Sequence, residues 1–223
     1  MTNSEKALAL HKEWNGKIET TPKCEVKSRE DLALAYTPGV AEPCKVIAED
    51  KEAALKQALE LIEENSTISM GGCMSAHEIG LVQALQEGNY QYLDRSKMEP
   101  REGLLAAYDS DVFLSSANAM TSDGILVNID GNSNRVSCIA QGPKKVIFIV
   151  GMNKVCDDLD SAMKRARNVA APINAQRFEV KTPCKETGKC FDCKSPDTIC
   201  CQFLITRENI NGKSPRSKYL LIM

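Results

Sequence analysis

The sequence lacks most of the features that would assign it to a specialised class. No apolar run approaches the ~20 residues needed to cross a bilayer. The opening stretch MTNSEKALALHKEWNGKIETTPKCE is charged and helical in pattern and has no apolar h-region, so no secretory signal and a cytoplasmic location are expected. Lys and Arg total 28 against 30 Asp and Glu, a net charge of -2, which excludes the basic footprint that nucleic-acid binding requires. No GxGxxG segment opens a helix, so no nucleotide cofactor is indicated.

What is present is an ordinary globular composition with one excess. The 223 residues are 43% hydrophobic and 26% charged, enough for one sizeable core with an appendage. Cysteine is abundant, with 10 in all, and half of them crowd into 184–201. Without an export signal that crowding favours metal ligation over disulfides. The scattered Cys24, Cys44, Cys73, Cys138 and Cys156 read as small core residues.

The segment Asp111–Lys154 organises the rest. It carries four short apolar runs, Val112–Leu114, Ile125–Ile129, Val136–Ala140 and Val146–Val150, each bounded by turn residues and read as a buried strand. Around it, helices are expected at Lys51–Glu64, Ser75–Gln86 (closed by Gly88 as a C′ glycine), Arg101–Tyr108 and Asp157–Ala171, the last stopping before Pro172. Short strands are expected at Thr67–Met70 and Tyr90–Leu93. Strands alternating with helices predict an α/β fold with a layered, mostly parallel sheet. Before Asn65 no strand pattern appears. Helices are expected over Ser4–Trp14, from Ser28 through Leu34, and from Thr37-Pro38 towards Ala48, which makes residues 1–50 a small helical segment ahead of an α/β domain at 51–223.

Polar loops at strand ends are where such a fold builds a site. Gly71-Gly72, between a strand and a helix, offers backbone N–H groups to an anion. Asn118, Thr121, Asp123 and Gly124 lie in one loop; Asp130, Gly131, Asn134 and Arg135 lie in the next. A carboxylate beside a cation is a general base or a substrate anchor, so Asp123 or Asp130 is the candidate acid/base. Arg135, Lys144 or Lys145 would then hold an anionic substrate. Asn153 in the GMNK loop, then Arg165, Asn168 and Asn174, are placed at the mouth of the site. The plainer readings are good turns for the SDG and DGNSN loops and a solvated basic face for the Lys164–Asn168 helix.

The most specific chemical signal is Cys184-x5-Cys190-x2-Cys193-x6-Cys200, with Cys201 adjacent. Four thiolates in a loop folded by Pro183, Gly188 and Pro196 can hold zinc or an iron–sulfur cluster. A loop of bare thiols or disulfides is the competing reading.

Two resemblances refine these expectations. LALHKEWNGKIE and SREDLALAYTPGVAEPC resemble the N-terminal segment of bacterial malic enzymes over about residues 6–50. That likeness implies a catalytic acid at Tyr36, but the chain has neither the downstream lysine motif nor the acidic metal set, and malate decarboxylation is not expected. It also implies subunit contacts through these helices, hence a homodimer. From residue 51, STISMGGCMSAHEIGL, SDVFLSSANAMTSDGILVNIDGNSNRVS, GPKKVIFIVGMNKV, AMKRARNVAAPINAQR and TPCKETGKCFDCKSPDTIC resemble the LUD, or lactate-utilisation, domain family. This implies a fold like that of sugar-phosphate isomerases and CoA transferases (NagB/RpiA type). It further implies a role in lactate or 2-hydroxy-acid metabolism alongside iron–sulfur partner proteins. One departure is Met70-Gly71-Gly72-Cys73, where the family has Trp-Gly-Gly-Ser. The alternative function is a non-catalytic regulatory or redox-partner module.

Overall fold

A computed structural model of the chain describes residues 45–207 and 217–222. The helices expected within 1–44 lie outside the described residues.

Six strands form an all-parallel main sheet. They are β1 (Lys45–Ile47), β2 (Thr67–Met70), β3 (Gln91–Tyr92), β4 (Val112–Ser115), β7 (Lys145–Val150) and β10 (Ser217–Ile222), in the order β1-β10-β7-β4-β2-β3. Four more make a mixed second sheet. These are β5 (Ala119–Thr121), β6 (Leu126–Asp130), β8 (Val155–Cys156) and β9 (Gln202–Thr206), ordered β8-β5-β6-β9, with β6 antiparallel to both its neighbours. The fold is α/β, with the parallel sheet predominant.

Alternation along the central strands sends side chains to two cores. Val112 and Leu114 of β4 and Ile147 and Ile149 of β7 face one layer. There they meet Ala54 and Ala58 of α1 (Lys51–Glu60) and Leu81, Val82 and Leu85 of α3 (Leu81–Glu87). Phe113 of β4 and Val146, Phe148 and Val150 of β7 face the other. That layer is closed by Met120 and Leu126 of the second sheet and by Cys138 and Ile139 of a helix. Burial on both faces is why β4 and β7 read as continuous apolar runs.

Several expectations are corrected. Val136–Ala140 is not a strand but the body of a helix, α5 (Asn134–Ala140). Asp130 determines this, because its Oδ2 accepts from the N–H groups of Arg135 and Val136 and so satisfies the opening turn. The Asp130–Arg135 connection therefore leads from a strand to a helix and is not a hairpin. The helix expected over Ser75–Gln86 is broken into α2 (Met74–Glu78) and α3 by Gly80, whose φ of 77° is left-handed. Gly88 has a φ of -89° and is no left-handed cap. The helix expected to stop before Pro172 passes through it. After α4 (Pro100–Tyr108) and α6 (Leu159–Arg165), a π-helical turn at Ala166–Ala170 leads into α7 (Ala171–Ala175). There the Ala171 N–H reaches back to the Ala166 carbonyl, and the proline that follows owes no hydrogen bond. Finally, the helix expected to run towards Ala48 gives way to β1, which pairs in parallel with β10.

Candidate anion site at the carboxyl edge of the parallel sheet

β2, β4 and β7 end together, and the segments leaving them bring cations and a thiol into one place. The turn after β2 begins with Gly71, whose N–H donates to the Leu114 carbonyl at 3.0 Å. A Cβ at Gly71 would stand 2.6 Å from Phe113 Cζ and 2.9 Å from Arg135 Cγ, so only glycine fits between them. Gly72 follows at φ +50°, and the buried Cys73 opens α2.

β4 runs into the loop Ser116–Asn118, which anchors three cations. Lys154 Nζ donates to Ser116 Oγ at 2.7 Å. Arg135 Nη2 donates to Asn118 Oδ1 at 2.9 Å and to the Ile129 carbonyl at 2.6 Å. Arg165 donates from Nη1 to the Asn118 carbonyl and from Nε to the Asn153 carbonyl, the latter at 3.0 Å. Asn118 Oδ1 also accepts from the Ile129 N–H at 2.8 Å, which ties this loop to the second sheet.

These groups lie close enough to act on one another electrostatically. Burial is the chief cause that lowers Lys154 to about 8; the neighbouring Arg165 and Arg135 lower it further, while Cys73 and Glu78 oppose them. Burial also depresses Arg135, against the pull of Asp130 and Cys73. The Cys73 thiol is pushed up by burial, with Lys154 and Arg135 pulling the other way. Three cationic side chains thus surround one site with Glu78 and Asp130 as the acids that act on them.

The same inter-sheet layer carries polar atoms without partners. Ser69 lies on the Phe113 side of β2, and Asn128 on the Leu126 side of β6, both by strand alternation. Ser69 Oγ and both side-chain atoms of Asn128 are buried and have no hydrogen bond.

The structure brings together only part of the expected set. Gly71, Gly72, Asn118, Arg135, Asn153 and Arg165 meet at this edge, Asn153 through its carbonyl. Gly131 stands nearby in the β6–α5 connection, where it packs on Ile199, and Asn134 opens α5. Asp130 serves as the cap of α5, its Oδ1 also accepting from the Gly131 N–H. Asp123 is exposed and accepts from the buried Thr121 hydroxyl, which in turn accepts from the Ile125 N–H. With Gly124 at φ 96° these residues build a turn.

Lys144 lies at the opposite edge, before β7, paired at 3.0 Å with Asp111. Lys145 there bonds the Leu61 carbonyl. Asn168 bonds back to the Lys164 carbonyl, and Asn174 accepts from Arg177, so neither joins the site. Lys154 and Ser116 escaped the sequence reading. The available signal was a lysine just beyond a fully buried strand, at the end of a loop already singled out.

The cysteine loop forms a separate group. Cys200 is pushed up to about 11, first by burial and then by Cys184, Cys190, Cys193 and Cys201 around it. Arg167 Nη2 donates to Cys190 Sγ at 3.7 Å and pairs with Asp192 at 2.6 Å. Among the described residues, no three His, Cys, Asp or Glu side chains are arranged to hold a metal ion.

An open parallel sheet whose carboxyl-edge loops gather three partly buried cations defines an α/β protein. The chain belongs to the LUD domain family, which it matches over residues 45–222. Its opening part is similar to other proteins. It is 58% identical over 50 residues to the bifunctional malic/malolactic enzyme of Bacillus subtilis, a match covering 22% of this chain and 12% of that one. It is also 49% identical over 67 residues to the NAD-dependent malic enzyme of Geobacillus stearothermophilus, covering 30% and 13%. The matches thus take in about an eighth of the length of these curated relatives. Among solved structures, a DUF162 family protein from Deinococcus radiodurans aligns with a TM-score of 0.41 at 15% identity, over 86% of this chain and 91% of that one. Among the described residues no helix is long and apolar enough to cross a membrane.

Proposed function

We propose that the protein binds a small carboxylate of the 2-hydroxy-acid class, lactate foremost, between Lys154, Arg135 and Arg165. The observation that carries this reading is the convergence of three cations on the Ser116–Asn118 loop at the carboxyl edge of the sheet. A guanidinium offers paired donors to a carboxylate, and a site already desolvated strengthens the attraction. The hydroxyl of such an acid would find donors and acceptors in Ser116 and Asn118. Family membership supports the metabolic assignment.

Thermal unfolding with L-lactate, D-lactate, pyruvate, sugar phosphates and CoA esters tests it. A carboxylate at 100 times its Kd stabilises the fold by about 2.7 kcal/mol. Arg135→Met should abolish that shift and Lys144→Met should leave it unchanged. An absence of any shift with all of these ligands sinks the proposal.

The thiols around Cys200 support a second element of the same reading. Drawn together, Cys184, Cys190, Cys193 and Cys200 supply the four thiolates of a zinc or iron–sulfur site. An iron–sulfur cluster there would give the protein an electron contact with iron–sulfur partner proteins, whereas zinc would only fold the loop. Metal analysis of anaerobically purified protein tests this: about one zinc per chain, or iron with acid-labile sulfide, lost in Cys190→Ser, supports it. Metal-free protein with five titratable thiols in the loop leaves only a thiol module.

A further inference from the structure

Lys154 has surroundings that simple charge complementarity does not require. A lysine that only holds an anion does so best as a fully protonated ammonium at a wet surface. This one is partly buried, and its Nζ has the Ser116 hydroxyl as its acceptor. Arg165 and Arg135 press on it from α6 and α5, Glu78 from α2, and Cys73 from the turn before α2. Burial beside other cations is the arrangement that frees an amine lone pair near neutral pH. With its value at about 8, a tenth of the side chain, roughly, is neutral at pH 7.

We propose that Lys154 is a nucleophilic amine that forms an imine with the carbonyl carbon of a 2-oxo carboxylate. This deepens the carboxylate reading above and rests on it. A 2-oxo acid is what two-electron oxidation of a 2-hydroxy acid yields, so both carry the same carboxylate and differ at the neighbouring carbon. Arg135, held by Asn118 and Ile129, and Arg165, held by Asn118 and Asn153, bind the carboxylate. The carbonyl carbon is then presented to Nζ. The nitrogen lone pair forms the C–N bond and the carbonyl becomes the hydroxyl of a carbinolamine. The C–O bond then breaks, and water departs with the two hydrogens the amine gives up. No oxidant or reductant takes part. Ser116, within 2.7 Å of Nζ, is placed to relay one of those protons. The reaction preceding this site is accordingly an oxidation of a 2-hydroxy acid, and the one following it consumes an activated 2-oxo acid.

The experiment is reductive trapping. Full-length protein is mixed with pyruvate, treated with cyanoborohydride and analysed by intact mass and peptide mapping, with thermal shift recorded in parallel. The expected result is one reduced pyruvyl group per chain, on Lys154, absent without pyruvate and absent in Lys154→Arg. The unliganded Tm of that variant reports on its folding, so an adduct missing from folded Lys154→Arg is attributable to the lost amine. A thermal shift in the wild type without a trapped adduct overturns the imine and leaves the carboxylate site standing. A trapped adduct that persists in Lys154→Arg also overturns it. No adduct and no thermal shift with pyruvate overturns the imine, and the carboxylate site falls with it only if lactate gives no shift either.

Discussion

Lys154 carries an energetic cost that a purely structural lysine would not. Its ordinary value of 10.5 falls to about 8 in the fold. At about 1.4 kcal/mol per pH unit, the buried charge costs the native state up to about 3 kcal/mol below pH 8. The sign follows from which state holds the proton. Between about 8 and 10.5 the unfolded chain is protonated while the native lysine is neutral, so stability rises as pH rises through that window. Lys154→Met should remove both the cost and the slope. Thermal unfolding at pH 7 and pH 10 checks this: the variant should be the more stable protein at pH 7, and the difference should shrink at pH 10. Anion binding should run the opposite way, weakening as the ammonium titrates near 8. A residue retained at such a cost is explained by what it binds.

Elements show where pattern reading succeeds and where local chemistry overrides it. The runs of β4 and β7 were legible because burial on both faces leaves no polar position within Val112–Leu114 or Val146–Val150. Val136–Ala140 was apolar but for Ser137, and periodicity over five residues cannot separate a strand from a helix. The deciding group, Asp130, lies six residues before the run and was read as an acid/base candidate. It is occupied by the Gly131, Arg135 and Val136 N–H groups instead.

Removing that acceptor should cost about 1–2 kcal/mol, as for other helix caps. Asp130→Ala should lower the Tm, and Asp130→Asn, which keeps one acceptor oxygen for Arg135 and Val136, should recover most of it. A catalytic Asp130 would give the reverse, a folded and stable Asn variant that has lost its chemistry. Of the expected site, Arg135, Arg165 and Asn118 were found because they sit at strand and helix ends in polar loops. Lys154 was hidden because sequence spacing does not reveal that three cations share one loop. Lys144 was included because proximity in sequence does not show which edge of a sheet a residue occupies.

At the scale of the molecule, the two ends of the described chain lie side by side. β10 is inserted between β7 and β1, and the three residues of β1 pair with Leu220, Leu221 and Ile222 at the sheet's margin. The family match starts at residue 45, with β1 itself. If a helix from Thr37 continued to Ala48, removing residues 1–44 or 1–47 would give equivalent proteins. The observed pairing predicts a sharp difference over three residues. Removing 1–44 keeps β1 on β10 and should leave the Tm of the 45–223 core close to that of the full chain. Removing 1–47 retains Asp50, whose carboxylate caps α1 by accepting from the Ala53 N–H at 2.8 Å. It leaves the N–H and C=O groups along the outer side of β10 without a partner, an unprotected edge of the kind that promotes association. That protein should melt several degrees lower and elute with concentration-dependent size on gel filtration. Equal melting and equal elution for the two truncations would show that β1 contributes nothing to the sheet, and that the helical reading of Thr37–Ala48 was the better one.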